Sequence, residues 1–92
     1  MITPIQKDLL GAILRILIDI DKTIERAEID QRLIRRAIVE GAKHENEGEL
    51  RLAEGDFREA SDLNQSLRED RRHLERLLRA FSLLNDALFR TL

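Results

Sequence analysis

Apolar residues recur along the first part of the chain at Ile5, Leu9, Ile13, Ile16, Ile20, Ile24, Ala27, Ile34 and Ile38, in steps of mostly three and four. That spacing gathers side chains on one side of an α-helix. Just before it, Thr3 can accept a hydrogen bond from a first-turn amide, and Pro4 suits the first helical position because the N–H it lacks would be unpaired there anyway. Asp8 follows near the positive helix end. Gly41 is a plausible stop, so the pattern predicts a helical arm over residues 4–40, about 54 Å long at 1.5 Å per residue.

The C-terminal part follows a heptad. With Phe57 at position a, the a and d positions are Phe57, Ala60, Asn64, Leu67, Arg71, Leu74, Leu78, Phe81, Asn85, Leu88 and Leu92, and the g positions add Leu63, Leu77 and Leu84. This stripe is wider than a two-stranded zipper needs and suits a bundle. Asp56 is placed to cap the arm, with Glu59 three residues on in the manner of a capping box. A second arm over residues 57–91 is expected, with a bundle seam of Phe57, Leu63, Leu67, Leu74, Leu77, Leu78, Phe81, Leu84 and Leu88. Asn64, Arg71 and Asn85 stand at a positions, where polar groups can set register and oligomer state.

Between the arms, Glu-Gly occurs three times at a seven-residue spacing: Glu40-Gly41, Glu47-Gly48 and Glu54-Gly55. Against the register of the second arm all three glycines fall on the outer f position, where packing does not demand them. Inside one continuous helix they would cost about 3 kcal/mol together relative to alanine. The spacing therefore reads as punctuation. Residues 41–56 are expected to form a connector with Gly48 in a short, weak helical piece, the rival being a helix continuous from about residue 43. The connector is acidic, through Glu40, Glu45, Glu47, Glu49 and Glu54 at its edge and within it.

One stretch, GELRLAEGDFREA from Gly48 to Ala60, resembles the middle of a tetratricopeptide repeat. The resemblance implies a helix-turn-helix with its turn at Gly55-Asp56. No second copy follows at the 34-residue period of such repeats, and the first arm is too long for their helices, so it implies local geometry and no function.

Two arms of similar length joined by a short polar segment predict an all-α antiparallel helical hairpin, one domain over residues 1–92. The first arm is apolar over most of its circumference. Leu9, Leu10, Ile13, Leu14, Ile16, Leu17, Ile20 and Ile24 cannot all be covered by one neighbouring helix. Leaving about four of them wet would forfeit on the order of 6–12 kcal/mol, comparable with the stability of a domain. These residues are the expected interaction surface, either for a homo-oligomeric bundle or for another protein.

Composition narrows the alternatives. There is no cysteine, so disulfides and thiolate metal sites drop out and a cytoplasmic setting fits. Eighteen acids against sixteen bases leave a net charge of -2, which steers the chain to neither nucleic acid nor anionic membrane. With no Trp or Tyr and only three Phe, a stacking platform for single strands cannot be built. Arg68, Arg72, Arg76 and Arg79 form a basic strip, but Glu69, Asp70 and Glu75 are interspersed and would repel a phosphate backbone. The run Leu9–Ile20 is too short for a span and is interrupted by Arg15 and Asp19.

Chemistry has few candidates. Glu40, His44 and Glu47 would share a helical face, but carboxylate-bundle metal sites use Glu-x-x-His in an apolar core, not Glu-x-x-x-His in the most polar part of a chain. His73 sits in an ordinary surface pattern of charges. The hydroxyls of Thr3, Thr23, Ser61, Ser66 and Thr91 lie in no nucleophile setting, and no phosphate loop occurs. The expectation is a non-enzymatic interaction module without cofactor: a small self-associating adaptor, assembly factor or structural subunit. The alternatives are an acidic inhibitor that enters a partner's basic groove and, more distantly, a carboxylate–histidine metal bundle.

Overall fold

A computed structural model describes all residues 1–92. Two α-helices, α1 (Pro4–Asn46) and α2 (Leu50–Arg90), pack against each other as an antiparallel hairpin 69 Å long and 16 by 12 Å across. There are no strands. Neither helix is long and apolar enough to cross a membrane.

The start of α1 is the one anticipated, with a partner that was not. Thr3 Oγ1 accepts from the Gln6 amide at 3.2 Å, while Gln6 Oε1 accepts from the Thr3 amide at 3.0 Å, a reciprocal capping box. The same Gln6 uses its other end to join the helices, its Nε2 donating to the Thr91 carbonyl at 3.0 Å. The buried glutamine thus closes the open end of the hairpin by satisfying three groups at once.

The joint is much shorter than the 41–56 connector expected from the glycines. Only Glu47, Gly48 and Glu49 lie between the helices. The Gly48 amide donates to the Glu45 carbonyl at 3.1 Å and the Glu49 amide to the His44 carbonyl at 2.8 Å, the paired bonds of a Schellman ending. Gly48 alone has the positive φ, 75°, that this ending requires. Glu49 then opens α2 without a side-chain cap, so Asp56 and Glu59 cap nothing and the repeat-like turn at Gly55-Asp56 does not form. Gly41 and Gly55 are ordinary helical residues because packing along the hairpin outweighs a propensity cost of about 1 kcal/mol each.

The interhelical seam is a strict alternation of three and four. On α1 the positions that face the partner, all buried or half-buried, are Gln6, Leu9, Ile13, Ile16, Ile20, Thr23, Ala27, Asp30, Ile34, Ala37, Gly41 and His44. On α2 they are Ala53, Asp56, Ala60, Leu63, Leu67, Asp70, Leu74, Leu77, Phe81, Leu84 and Leu88. Facing positions have numbers that add to about 97, as Gln6 and Thr91 do.

This register corrects both arms. On α2 the seam uses the d and g positions of the heptad, and the a positions move to a flank. Asn64 and Arg71 are exposed there, Asn85 is half-buried, and none of the three is a register residue inside the hairpin. On α1 the seam takes Gln6, Thr23 and Ala37 where the apolar pattern favoured Ile5, Ile24 and Ile38. A repeating 3-4 step keeps one stripe facing the partner, whereas choosing the most apolar residue at each turn lets the stripe drift. Thr23 is tolerated at 1% exposure because its hydroxyl donates to the Asp19 carbonyl at 2.8 Å.

Candidate interaction surface

The residues expected to form the first arm's interaction surface divide into two sets. Leu9, Ile13, Ile16 and Ile20 turn into the seam, whereas Leu10, Leu14, Leu17 and Ile24 remain exposed. The second arm divides likewise: Leu63, Leu67, Leu74, Leu77, Phe81, Leu84 and Leu88 face α1, while Phe57 and Leu78 are 40% and 48% exposed.

Helical geometry collects the exposed sets on one flank. Leu10, Leu17, Ile24 and Ile38 lie beside the seam of α1 at multiples of seven residues, with Gln31 in the same row, and Leu50, Phe57, Leu78 and Leu92 do so along α2, with Asn64, Arg71 and Asn85 between them. Leu14 and Phe89, 61% and 63% exposed, widen the flank toward the open end. The opposite flank is different. It alternates Asp19, Arg26, Glu40 and Glu59 with isolated exposed Ile5, Leu33 and Leu52, and its largest hollow, lined by Asp19, Lys22, Thr23, Glu25, Arg26 and His73, has no apolar wall. Scattered apolar exposure elsewhere, such as Ile18 and Leu83, is ordinary for a small protein.

Only nine residues are buried in the isolated hairpin, and six of these are apolar. Toward the open end of the apolar flank, the exposed parts of Leu10, Leu14, Leu17, Ile24, Leu78, Phe89 and Leu92 equal about three to four whole side chains. Covering them would contribute about 5–10 kcal/mol per molecule before the costs of association.

Two titratable clusters cross the seam. Near the turn, Nδ1 of His44 lies 2.6 Å from Oδ2 of Asp56, and its Nε2 lies 4.0 Å from Glu49. An ionised carboxylate can only accept, so the ring donates. His44 is held above the ordinary histidine value of 6.5, chiefly by that hydrogen bond; the charges of Asp56, Glu49 and Glu40 add to it and partial burial opposes it. The expected Glu40–His44–Glu47 face therefore becomes a clasp between helices, and no group of three or more His, Asp or Glu side chains is arranged to hold a metal ion.

Midway along the hairpin, Asp70 faces Asp30, whose Oδ2 accepts from the Ser66 hydroxyl at 3.1 Å. Burial holds the Asp70 carboxyl above its ordinary range, the hydrogen bond and charge of Asp30 raise it further, and Arg26 partly offsets them. Neither Gln6 nor the Asp30–Asp70 pair was anticipated as a contact. Each is polar, so hydrophobic patterning passes over it, and only the strict 3-4 step from Leu9 or from Ala60 would have reached it.

The acidic residues sort by height. Glu45, Glu47, Glu49 and Glu54 are exposed around the turn, and Glu40 is half-buried a turn below. Compared with known proteins, the chain matches no family model, no curated protein and no solved structure.

Proposed function

We propose that the protein is a non-enzymatic helical interaction module, a small self-associating adaptor, assembly factor or structural subunit. The observation that carries this reading is the apolar flank: a hairpin with six buried apolar residues leaves leucine, isoleucine and phenylalanine side chains uncovered, most densely along one flank toward its two ends. Light scattering on purified protein, with an apolar dye as reporter, tests the reading: a mass above the 10.7 kDa of one chain is expected, or a monomer that binds dye strongly. A monodisperse monomer that binds no dye would sink it.

A second reading draws on the exposed glutamates of the turn, which suit a regulator that enters a basic groove. Charge reversal at Glu45, Glu47 and Glu49 separates the two. It abolishes partner binding if the turn is the binding element and spares association through the apolar flank.

A further inference from the structure

We infer that the apolar flank is an interface between two copies of the hairpin, packed antiparallel about a two-fold axis so that each turn lies beside the other's open end. This rests on reading the flank as an interaction surface and adds its occupant and orientation.

Extent points to an occupant as long as the hairpin itself. A face 69 Å long and 16 Å across offers on the order of 1,000 Å² per copy, against roughly 800 Å² per partner in a standard interface. A short partner helix would leave much of the row in water. A second copy covers its whole length, and a two-fold arrangement lets one self-complementary patch serve both sides.

The distribution of polar residues agrees. Gln31, Asn64 and Arg71 are exposed together near the middle of the flank, with apolar side chains toward both ends. A two-fold axis through that middle sets polar against polar. With α1 against α1 and α2 against α2, it lays Leu10 of one copy against Ile38 of the other and Leu92 against Leu50, with Ile24 beside the axis.

Charge decides the direction. Residues 40–62, around the turn, hold eight acids and three bases, whereas the rest of the chain holds ten acids and thirteen bases. Parallel copies would stack two acidic turns side by side. Antiparallel copies hold the turns apart by most of the hairpin's 69 Å, many times the roughly 8 Å screening length at physiological salt, and lay each beside a mildly basic end.

The chain has no cysteine, so one introduced thiol can be labelled uniquely. Arg15 and Lys43 are exposed on α1 away from the flank, about 42 Å apart along the helix. With spin labels, Arg15→Cys alone should give an intermolecular separation of about 40 Å or more, and an equal mixture with labelled Lys43→Cys should add a separation under about 30 Å. A short separation between two Arg15 labels would mean parallel copies and overturn the proposal while leaving the interaction reading in place. Leu17→Glu on the flank should raise the dimer Kd by about 100-fold or more, since the side chain is lost twice per dimer, with helicity by circular dichroism unchanged. Leu83→Glu, off the flank, should move it by less than about 3-fold. Equal effects of the two substitutions would count against this interface. A monomer that binds apolar dye would remove the second copy as occupant and keep the broader reading, whereas a dye-silent monomer would remove both.

Discussion

A methyl group placed on Gly41 would stand 2.7 Å from the Phe57 ring edge, whereas one placed on Gly55 would meet nothing within 4 Å. Three glycines at one heptad spacing thus do three different things: Gly41 receives an aromatic ring, Gly48 turns the chain, and Gly55 leaves a helix interior needlessly supple. The consequences have opposite signs. Gly55→Ala is expected to stabilise the fold by about 1 kcal/mol, a rise in Tm of about 4 °C or more. Gly41→Ala must displace Phe57 and is expected to destabilise by about 1 kcal/mol, the lost contact exceeding the helix-propensity gain. In a Phe57→Ala background the same Gly41→Ala change should become stabilising by about 1 kcal/mol. Thermal melts at one protein concentration read all three, and a Gly41→Ala gain as large as that of Gly55→Ala would show the Phe57 contact to be idle.

At the scale of elements, the two helices are joined by a clasp at each end. Gln6 ties the start of α1 to the Thr91 carbonyl, and His44 ties its last turn to Asp56 on α2. Only the second clasp titrates near neutrality. Because His44 is raised above 6.5 in the folded state, its contribution is fully present below that value and is lost as pH climbs through the raised one. The groups facing it, Asp56 and Glu49 on α2's side and Glu40 on α1, are all acidic and act in the same direction. The Tm difference between the wild type and His44→Gln should therefore be largest near pH 6 and shrink toward zero by about pH 9. Melts across that range check it, and a difference that does not change with pH would remove the protonated clasp.

For the whole molecule, the shape is the constraint. A rod 69 Å long and 16 by 12 Å across has little interior, and its few buried apolar side chains form a single file between two helices. Folding and assembly are then expected to be linked, so Tm should rise by about 5 °C or more over a hundredfold increase in protein concentration. Calorimetry or circular dichroism over that range measures it. A Tm independent of concentration would mean that the hairpin stands alone.

Much of this was legible in the sequence because it depends on neighbours along the chain. Thr3-Pro4 announces a helix start, spacings of three and four announce helices, and the absence of any sustained alternation leaves no strand to build. An excess of apolar residues on the first arm likewise announces a second surface, whatever covers it. What the tertiary structure decided is where those local possibilities meet. Hydrophobic pattern alone is nearly indifferent to a shift of one position among a, d and g, since leucines occupy all three on α2; facing a continuous partner at a strict 3-4 step selected d and g and sent Phe57 and Leu78 outward. The same docking carried α1 to Asn46 and opened α2 at Leu50, because interhelical contact outweighed the glycine cost that would have ended an isolated helix. Local sequence set the period and the ends that could be capped; only the second helix set which stripe is inside.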